Sequence, residues 1–112
     1  MAITSNSSGS QTCTISTEHT LATITSAGVY VLKLDLNALV DGTTPDELEV
    51  RVYSKSRSAD TERLEFINTY RGSQGQPIVT TLPCVTDCDC KFTIKQTQGT
   101  GRAVPWNALV LA

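Results

Sequence analysis

Apolar and polar residues alternate along several stretches of this chain. Every second side chain from residue 30 to residue 36 is apolar, and Lys33 and Asp35 fall between them. Residues 47–54 repeat the pattern with Leu48, Val50 and Val52 in phase. A period of two places alternate side chains on opposite faces, which indicates strands with one buried face. No segment has the periodicity of a helix of three turns.

The alternation, together with the turn residues between the segments, predicts an all-β protein. Turn-forming clusters occur at residues 26–28, 41–46 and 72–77. The predicted strands are 12–16, 20–25, 29–36, 47–54, 62–70, 78–82, 88–97 and 104–111. We expect a single antiparallel β-sandwich of seven to eight strands, and the sequence leaves open whether it is jelly-roll-like or immunoglobulin-like.

Two of these strands allow a prediction of register. A tight hairpin at residues 56–60 would place Val52 opposite Leu64, both facing the core, and Arg51 opposite Glu65. The charged pair would then stabilise the hairpin on its solvent side.

The chain of 112 residues suits one domain. Residues 1–11 are small and polar, so we expect a flexible N-terminal arm there and the β-sandwich domain at 12–112. The N-terminus lacks the basic and apolar regions of a signal peptide, and no segment approaches the roughly 18 apolar residues of a membrane span. We therefore expect synthesis in the cytoplasm and no membrane partner.

The charge of the chain argues against a nucleic-acid partner. Nine Lys and Arg residues are outnumbered by eleven Asp and Glu residues, and no basic run occurs. Affinity for nucleic acid depends largely on neutralising phosphates with basic side chains.

The four cysteines are the most conspicuous candidates for chemistry. Cys84, Cys88 and Cys90 form a C-x3-C-x-C cluster, and Cys13 lies far away in sequence. Structural zinc sites commonly use paired knuckles, which this cluster does not match, so a metal site built from these four residues is the least favoured interpretation. Free thiols are favoured, and a Cys84–Cys88 disulfide is the second alternative. No cofactor is predicted.

Nothing in the sequence predicts an enzyme. His19 is the one histidine, and no nucleophile in the sequence is required to lie beside it. Asp87 and Asp89 lack the pattern of a calcium-binding loop, and residues 99–102 are too short for a phosphate loop.

The C-terminal segment is apolar on both of its faces. Trp106 and Leu109 point to opposite sides of a predicted strand, and Pro105 indicates an edge strand or a strand that enters its sheet at that point. The segment either covers its own sandwich or contacts another subunit. We predict a partner interface at Trp106, Pro105, Leu109 and Leu111, with core packing as the alternative role for Trp106.

Three segments of the chain, in this order, are distinctive: VLKLDLNAL, LEVRVYSKSRSADTERLEF and FTIKQTQGTGRAVPW. With them the chain resembles a group of small proteins of tailed bacteriophages and prophages that are typically encoded close to the head genes, and the resemblance covers residues 12–112. Its most specific pieces are residues 35–39 and 99–106, whereas the cysteine cluster departs from the pattern.

The resemblance implies a structural role in the virion. The expected function is that of a capsid decoration or cement protein, which binds the outer shell and stabilises contacts between capsomers. Its partner would be the major capsid protein, and the chain would form a homo-oligomer, a dimer or trimer, on the capsid surface. The alternatives are a tail or head-fibre module that binds host glycans and a small binding protein stabilised by a metal or a disulfide.

Overall fold

The computed structural model describes residues 2–111 and confirms the all-β antiparallel sandwich. These residues contain nine strands and no helix, so none of them forms a helix that could cross a membrane. The strands are β1 (Ile3–Thr12), β2 (Glu18–Ile24), β3 (Gly28–Asp35), β4 (Glu47–Ser54), β5 (Arg63–Arg71), β6 (Ile78–Thr80), β7 (Cys84–Thr86), β8 (Cys90–Gln98) and β9 (Ala103–Leu111).

The strands form two sheets, and the chain passes repeatedly from one to the other. Sheet A has the order β1-β9-β3-β6, and β7 pairs with β3 beside β6. Sheet B has the order β2-β8-β4-β5. Every pairing is antiparallel, and β4 and β5 are consecutive strands that form a hairpin.

The core lies between the inner faces of the two sheets. In sheet A the alternating side chains of β3 supply Tyr30, Leu32 and Leu34, as the sequence pattern predicts. Sheet B supplies a matching set of buried residues from β4 and β8, namely Leu48, Val50, Val52, Phe92 and Ile94. Burying each such side chain stabilises the fold by roughly 1.5–3 kcal/mol. Strands that face the core therefore carry apolar residues at every second position, and this spacing made them predictable from the sequence.

The N-terminal segment differs from the expected flexible arm. Residues 3–12 form β1, which pairs with β9 along its length, and Met1 lies outside the described residues. Of the strand expected at 12–16, Thr12 ends β1 and residues 13–16 form a connection in which Cys13 N–H donates to the Arg102 carbonyl at 2.9 Å. Main-chain hydrogen bonding to β9 orders a segment whose side chains bury little, and side-chain patterns do not report this contribution.

The register predicted for the β4–β5 hairpin is wrong by two residues at Arg51, which pairs with Ile67, and at Val52. Val52 pairs with Phe66 and Tyr53 with Leu64, because Glu65 lies in a bulge between them. The Glu65 carboxylate accepts a hydrogen bond from Ser54 Oγ at 2.5 Å, and Leu64 remains exposed. A bulge adds one residue to one strand and shifts every later pair.

Proline has no backbone N–H, so it is expected in an edge strand or where a strand enters its sheet, and Pro105 occupies the second of these positions. It lies opposite Ser10 near the start of β9, one residue before Trp106 begins the ladder with β3. The missing N–H of Pro105 therefore falls where β9 enters the centre of sheet A.

Candidate interaction surface

The solvent face of sheet A carries a continuous row of aliphatic side chains. Strand register aligns Ile3 with Leu111, Leu111 with Val29, and Val29 with Val85, so the row crosses four strands. Ile3 and Val85 are the most exposed members, at 70% and 74% of their surface.

A second, shorter row lies beside the first. Leu109 pairs with Val31, and both point to the solvent face because their neighbours in each strand point into the core. We call the two rows together the apolar band; its members are Ile3, Val29, Val31, Val85, Leu109 and Leu111. Ile3 and Val85 are exposed and the other four members are half-buried. Scattered exposed aliphatic residues are common, but a contiguous apolar group on a solvent face is a candidate interaction surface.

The solvent face of sheet B has the opposite character. Arg51 pairs with Glu18 at 3.2 Å and with Glu49 at 2.6 Å. The Tyr53 hydroxyl donates to Glu18 at 2.8 Å, and the Thr93 hydroxyl donates to the same carboxylate at 2.6 Å. Most charged and polar groups of this face are therefore paired with one another, although Arg51 Nε is buried without a hydrogen-bond partner.

The electrostatics of this network favour its ionised form. Burial alone would raise the pKa of Glu18, but hydrogen bonds from Thr93 and Tyr53 and the charge of Arg51 outweigh it and lower the pKa. Hydrogen bonding to Tyr53 and Glu49 raises the pKa of Arg51. Such a face is adapted to water, because removing its charges from solvent would carry a large desolvation cost. Its exposed aliphatic residues, Leu64 and Ile67, lie on the edge strand β5.

The four residues predicted as a partner interface are divided between the two sides of sheet A. Leu109 and Leu111 belong to the apolar band. Pro105 borders a shallow groove of about 180 Å³ that also contacts Ile78. Trp106 packs inward against the core beside Gly9, where a Cβ would lie 3.4 Å from the indole ring. Contact of these residues with a partner stays a prediction.

The cysteines do not assemble into a four-residue site. All four are free thiols; Cys13, Cys84 and Cys90 are buried and Cys88 is half-buried. Among residues 2–111, no group of three or more His, Cys, Asp or Glu side chains has the arrangement to hold a metal ion. Burial raises the pKa of Cys13, Cys84 and Cys90, so these thiols are protonated and unreactive near neutral pH.

Cys84 and Cys90 lie in facing sheets, with Cys84 opposite Tyr30 in sheet A and Cys90 opposite Ser54 in sheet B. The Cys84 thiol also reaches the Glu65 carboxylate at 3.9 Å. The two buried thiols therefore contribute packing to the end of the core.

His19 has a structural role at the start of β2. Its Nε2 accepts a hydrogen bond from the Thr14 N–H at 3.0 Å, which closes the turn between β1 and β2.

A cleft of about 710 Å³ lies at the end of the β4–β5 hairpin. Its lining mixes both signs of charge with polar and apolar residues, and its members include Lys55, Asp60, Arg63, Glu65 and Val85. Lys55 pairs with Asp89 at 2.9 Å, which leaves the cleft without a single dominant charge. The cleft shares Val85 with the apolar band and therefore borders it.

Asp46 is an important residue that sequence reasoning treated only as part of a turn. It is 1% exposed and accepts hydrogen bonds from the N–H groups of Val40 and Thr100, at 2.9 and 3.0 Å, and from Arg102 Nε at 2.8 Å. Burial would raise the pKa of Asp46, but these bonds and the Arg102 charge lower it. The carboxylate joins two loops, and its acceptor positions are occupied within the fold.

Comparisons with protein-family models, with curated proteins and with solved structures found no match to this chain. The arrangement of the two solvent faces is therefore the main structural observation that bears on function. It presents one face suited to water and one suited to contact with another surface.

Proposed function

We propose that this protein is a capsid decoration or cement protein of a tailed bacteriophage. It binds the outer shell, with the major capsid protein as its partner, and stabilises contacts between capsomers. The observation that carries the proposal is the difference between the two solvent faces: sheet A presents the apolar band, and sheet B presents an ion-paired surface. The resemblance of residues 12–112 to small phage proteins encoded near head genes supports the choice of partner.

The two faces define an orientation on the shell. The apolar band faces the capsid, because burying aliphatic surface contributes roughly 25 cal/mol per Å². The Glu18–Arg51–Glu49 network faces solvent, where its charges stay hydrated. The rigid sandwich transmits force between the capsomers that it contacts, and repetition over a symmetric shell makes many modest contacts strong in aggregate.

Aromatic side chains support this function over glycan binding. A glycan platform needs an exposed aromatic ring, but the Tyr53 ring is covered by Lys91 Nζ at 4.7 Å from its centroid. Trp106 is partly buried and packs against the core.

The first test is the copy number of this chain in virions of the phage or prophage that encodes it. Quantitative mass spectrometry should find it at a ratio to the major capsid protein near one, or near a simple fraction of one. A few copies per particle would move the protein to the tail or neck. Its absence from virions would overturn the proposal.

The second test addresses the orientation. Val85→Glu places a negative charge in the apolar band at its most exposed residue, and Ile67→Glu makes the matched change on the face of sheet B. We expect Val85→Glu to weaken binding to decoration-free shells at least about tenfold, the equivalent of about 1.4 kcal/mol, and Ile67→Glu to bind like the wild type. Equal binding by both variants would show that sheet A is not the docking face.

A further inference from the structure

The exposed sheet edges of this sandwich are not equally protected against pairing with another strand. A free edge presents unpaired N–H and C=O groups, and proteins commonly protect it with charge, proline, bulges or short length. Edge strand β5 carries Arg63, Glu65 and Arg71, and edge strand β2 carries Glu18 and His19. On the far side of sheet A, β6 and β7 have three residues each, and Pro83 lies in their connection.

The remaining edge, β1, lacks most of these features. Its ten residues, ITSNSSGSQT, include no charged residue and no proline. One side of β1 pairs with β9, and β1 is the terminal strand of sheet A. An irregularity between Ser5 and Ser7 is its one interruption.

The burial of β1 also sets it apart. Eight of its ten residues are exposed, and no residue of β1 belongs to the buried core of the described chain. The ladder with β9 is thus the main interaction that offsets the conformational entropy lost when β1 becomes ordered. A second ladder on the free edge would supply further main-chain hydrogen bonds to a strand that has few other contacts.

The geometry points to a second copy of this chain as the occupant of that edge, with β1 pairing antiparallel to β1 of the partner about a two-fold axis. A two-fold contact brings each strand against its own sequence, so any charge near the axis would face the same charge. β1 carries none, and its serine and threonine side chains suit cross-strand hydrogen bonding. A foreign strand would find no complementary charge on β1 to recognise, and Ile3 is the one aliphatic side chain of the strand.

This pairing has a geometric consequence for the apolar band. Antiparallel strands in one continuous sheet are related by a two-fold axis perpendicular to that sheet, so both copies present the same face on the same side. The dimer would therefore offer two apolar bands to one surface. The pairing itself is a property of the free protein and does not depend on the proposed function; together the two would make shell binding bivalent.

The test is the mass of the full-length protein in solution, measured by sedimentation equilibrium over a range of concentrations. We expect a species of twice the 12.0 kDa chain mass. Ser8→Lys, at an exposed position of β1, should shift the protein to monomer, and Thr69→Lys, at an exposed position of β5, should leave the dimer intact. Far-UV circular dichroism of both variants verifies that the sandwich is folded.

The direction of pairing is tested separately with nitroxide labels placed one at a time at exposed positions of β1. For an antiparallel two-fold pair, the distance between equivalent labels passes through a minimum at the axis and rises towards both ends of the strand. A distance that stays constant along β1 would overturn the antiparallel arrangement.

A monomeric wild type at all concentrations, or a Ser8→Lys variant that remains dimeric, would overturn the inference. Its failure is distinguishable from failure of the proposed function. A monomer that is abundant in virions would refute only the dimer, whereas a β1-paired dimer that is absent from virions would refute only the shell-binding function.

Discussion

At the scale of single residues, Asp46 shows how one buried charge organises distant parts of the chain. Its carboxylate receives the N–H groups of Val40 and Thr100 and the guanidinium of Arg102. Two of these partners lie more than fifty residues away in sequence, so no local pattern could identify them. An aspartate after a proline has the appearance of an ordinary turn residue, and the sequence predicted it as one.

Replacing Asp46 with asparagine should destabilise the fold by about 2–4 kcal/mol, because an amide nitrogen would face a backbone N–H donor and Arg102 would lose its partner. The free energy of unfolding in urea measures this change. Asp60→Asn is the matched control: Asp60 pairs with Arg57 at the surface, and its loss should change stability little. Equal effects of the two substitutions would contradict the role given to Asp46.

Acidification should weaken the wild-type fold through the same carboxylate. The pKa of Asp46 is lower in the folded than in the unfolded state, so its contribution is present above the unfolded pKa of about 4 and is lost as pH falls through the folded pKa. Urea unfolding at a series of pH values should show a decline below about pH 4. The gap between wild type and Asp46→Asn should narrow in that range; a constant gap would contradict the argument.

The thiols should differ in reactivity. Cys88 is half-buried, whereas Cys13, Cys84 and Cys90 are buried and burial raises their pKa. In the folded, reduced protein, a water-soluble maleimide should label Cys88 more than about tenfold faster than the other three, which react after denaturation. Cys88→Ser should abolish the fast phase. Rapid labelling of a second cysteine in the folded protein would show that the core opens locally.

At the scale of elements, the sequence pattern located the strands that have a buried face. Strands β3, β4, β8 and β9 alternate because the core accepts every second side chain. β1 was missed because main-chain pairing with β9 orders it without side-chain burial. The register of β5 was missed for two reasons. The bulge at Glu65 shifts the pairing by one residue, and the loop at 55–62 between β4 and β5 is longer than the tight hairpin predicted at 56–60.

A substitution in the loop between β8 and β9 tests how closely that loop must pack against Asp46. Gly99 has a φ of +93°, and a Cβ there would overlap Asp46. Gly99→Ala should therefore cost about 1–3 kcal/mol in unfolding free energy. Gly75→Ala is the control, since Gly75 has open space around its Cβ position and should be near neutral. A tolerated Gly99→Ala would mean that the loop can move away from Asp46.

At the scale of the whole molecule, only part of the apolar band could be predicted from the sequence. Leu109 and Leu111 were predicted because the C-terminal strand is apolar on both of its faces. Val29, Val85 and Ile3 join them only through the register of three other strands, which the sequence did not specify. A surface assembled across strands far apart in sequence requires the topology as well as the alternation.

The construction of the sandwich also predicts what happens when β1 is removed. The buried core contains no residue of β1. The β1–β9 ladder contributes little to the free energy of unfolding, because each hydrogen bond contributes about 1 kcal/mol and the conformational entropy lost on ordering each residue costs a similar amount. Deleting residues 2–11 should therefore leave the circular dichroism spectrum of a β-sandwich and change the unfolding free energy by no more than about 2 kcal/mol. The deletion uncovers the β9 edge and the indole of Trp106 beside Gly9, so tryptophan fluorescence should shift to longer wavelength and solubility should fall. If the shortened chain is unfolded, the domain requires β1, and the β1–β9 ladder contributes far more to stability than the small buried surface of β1 indicates.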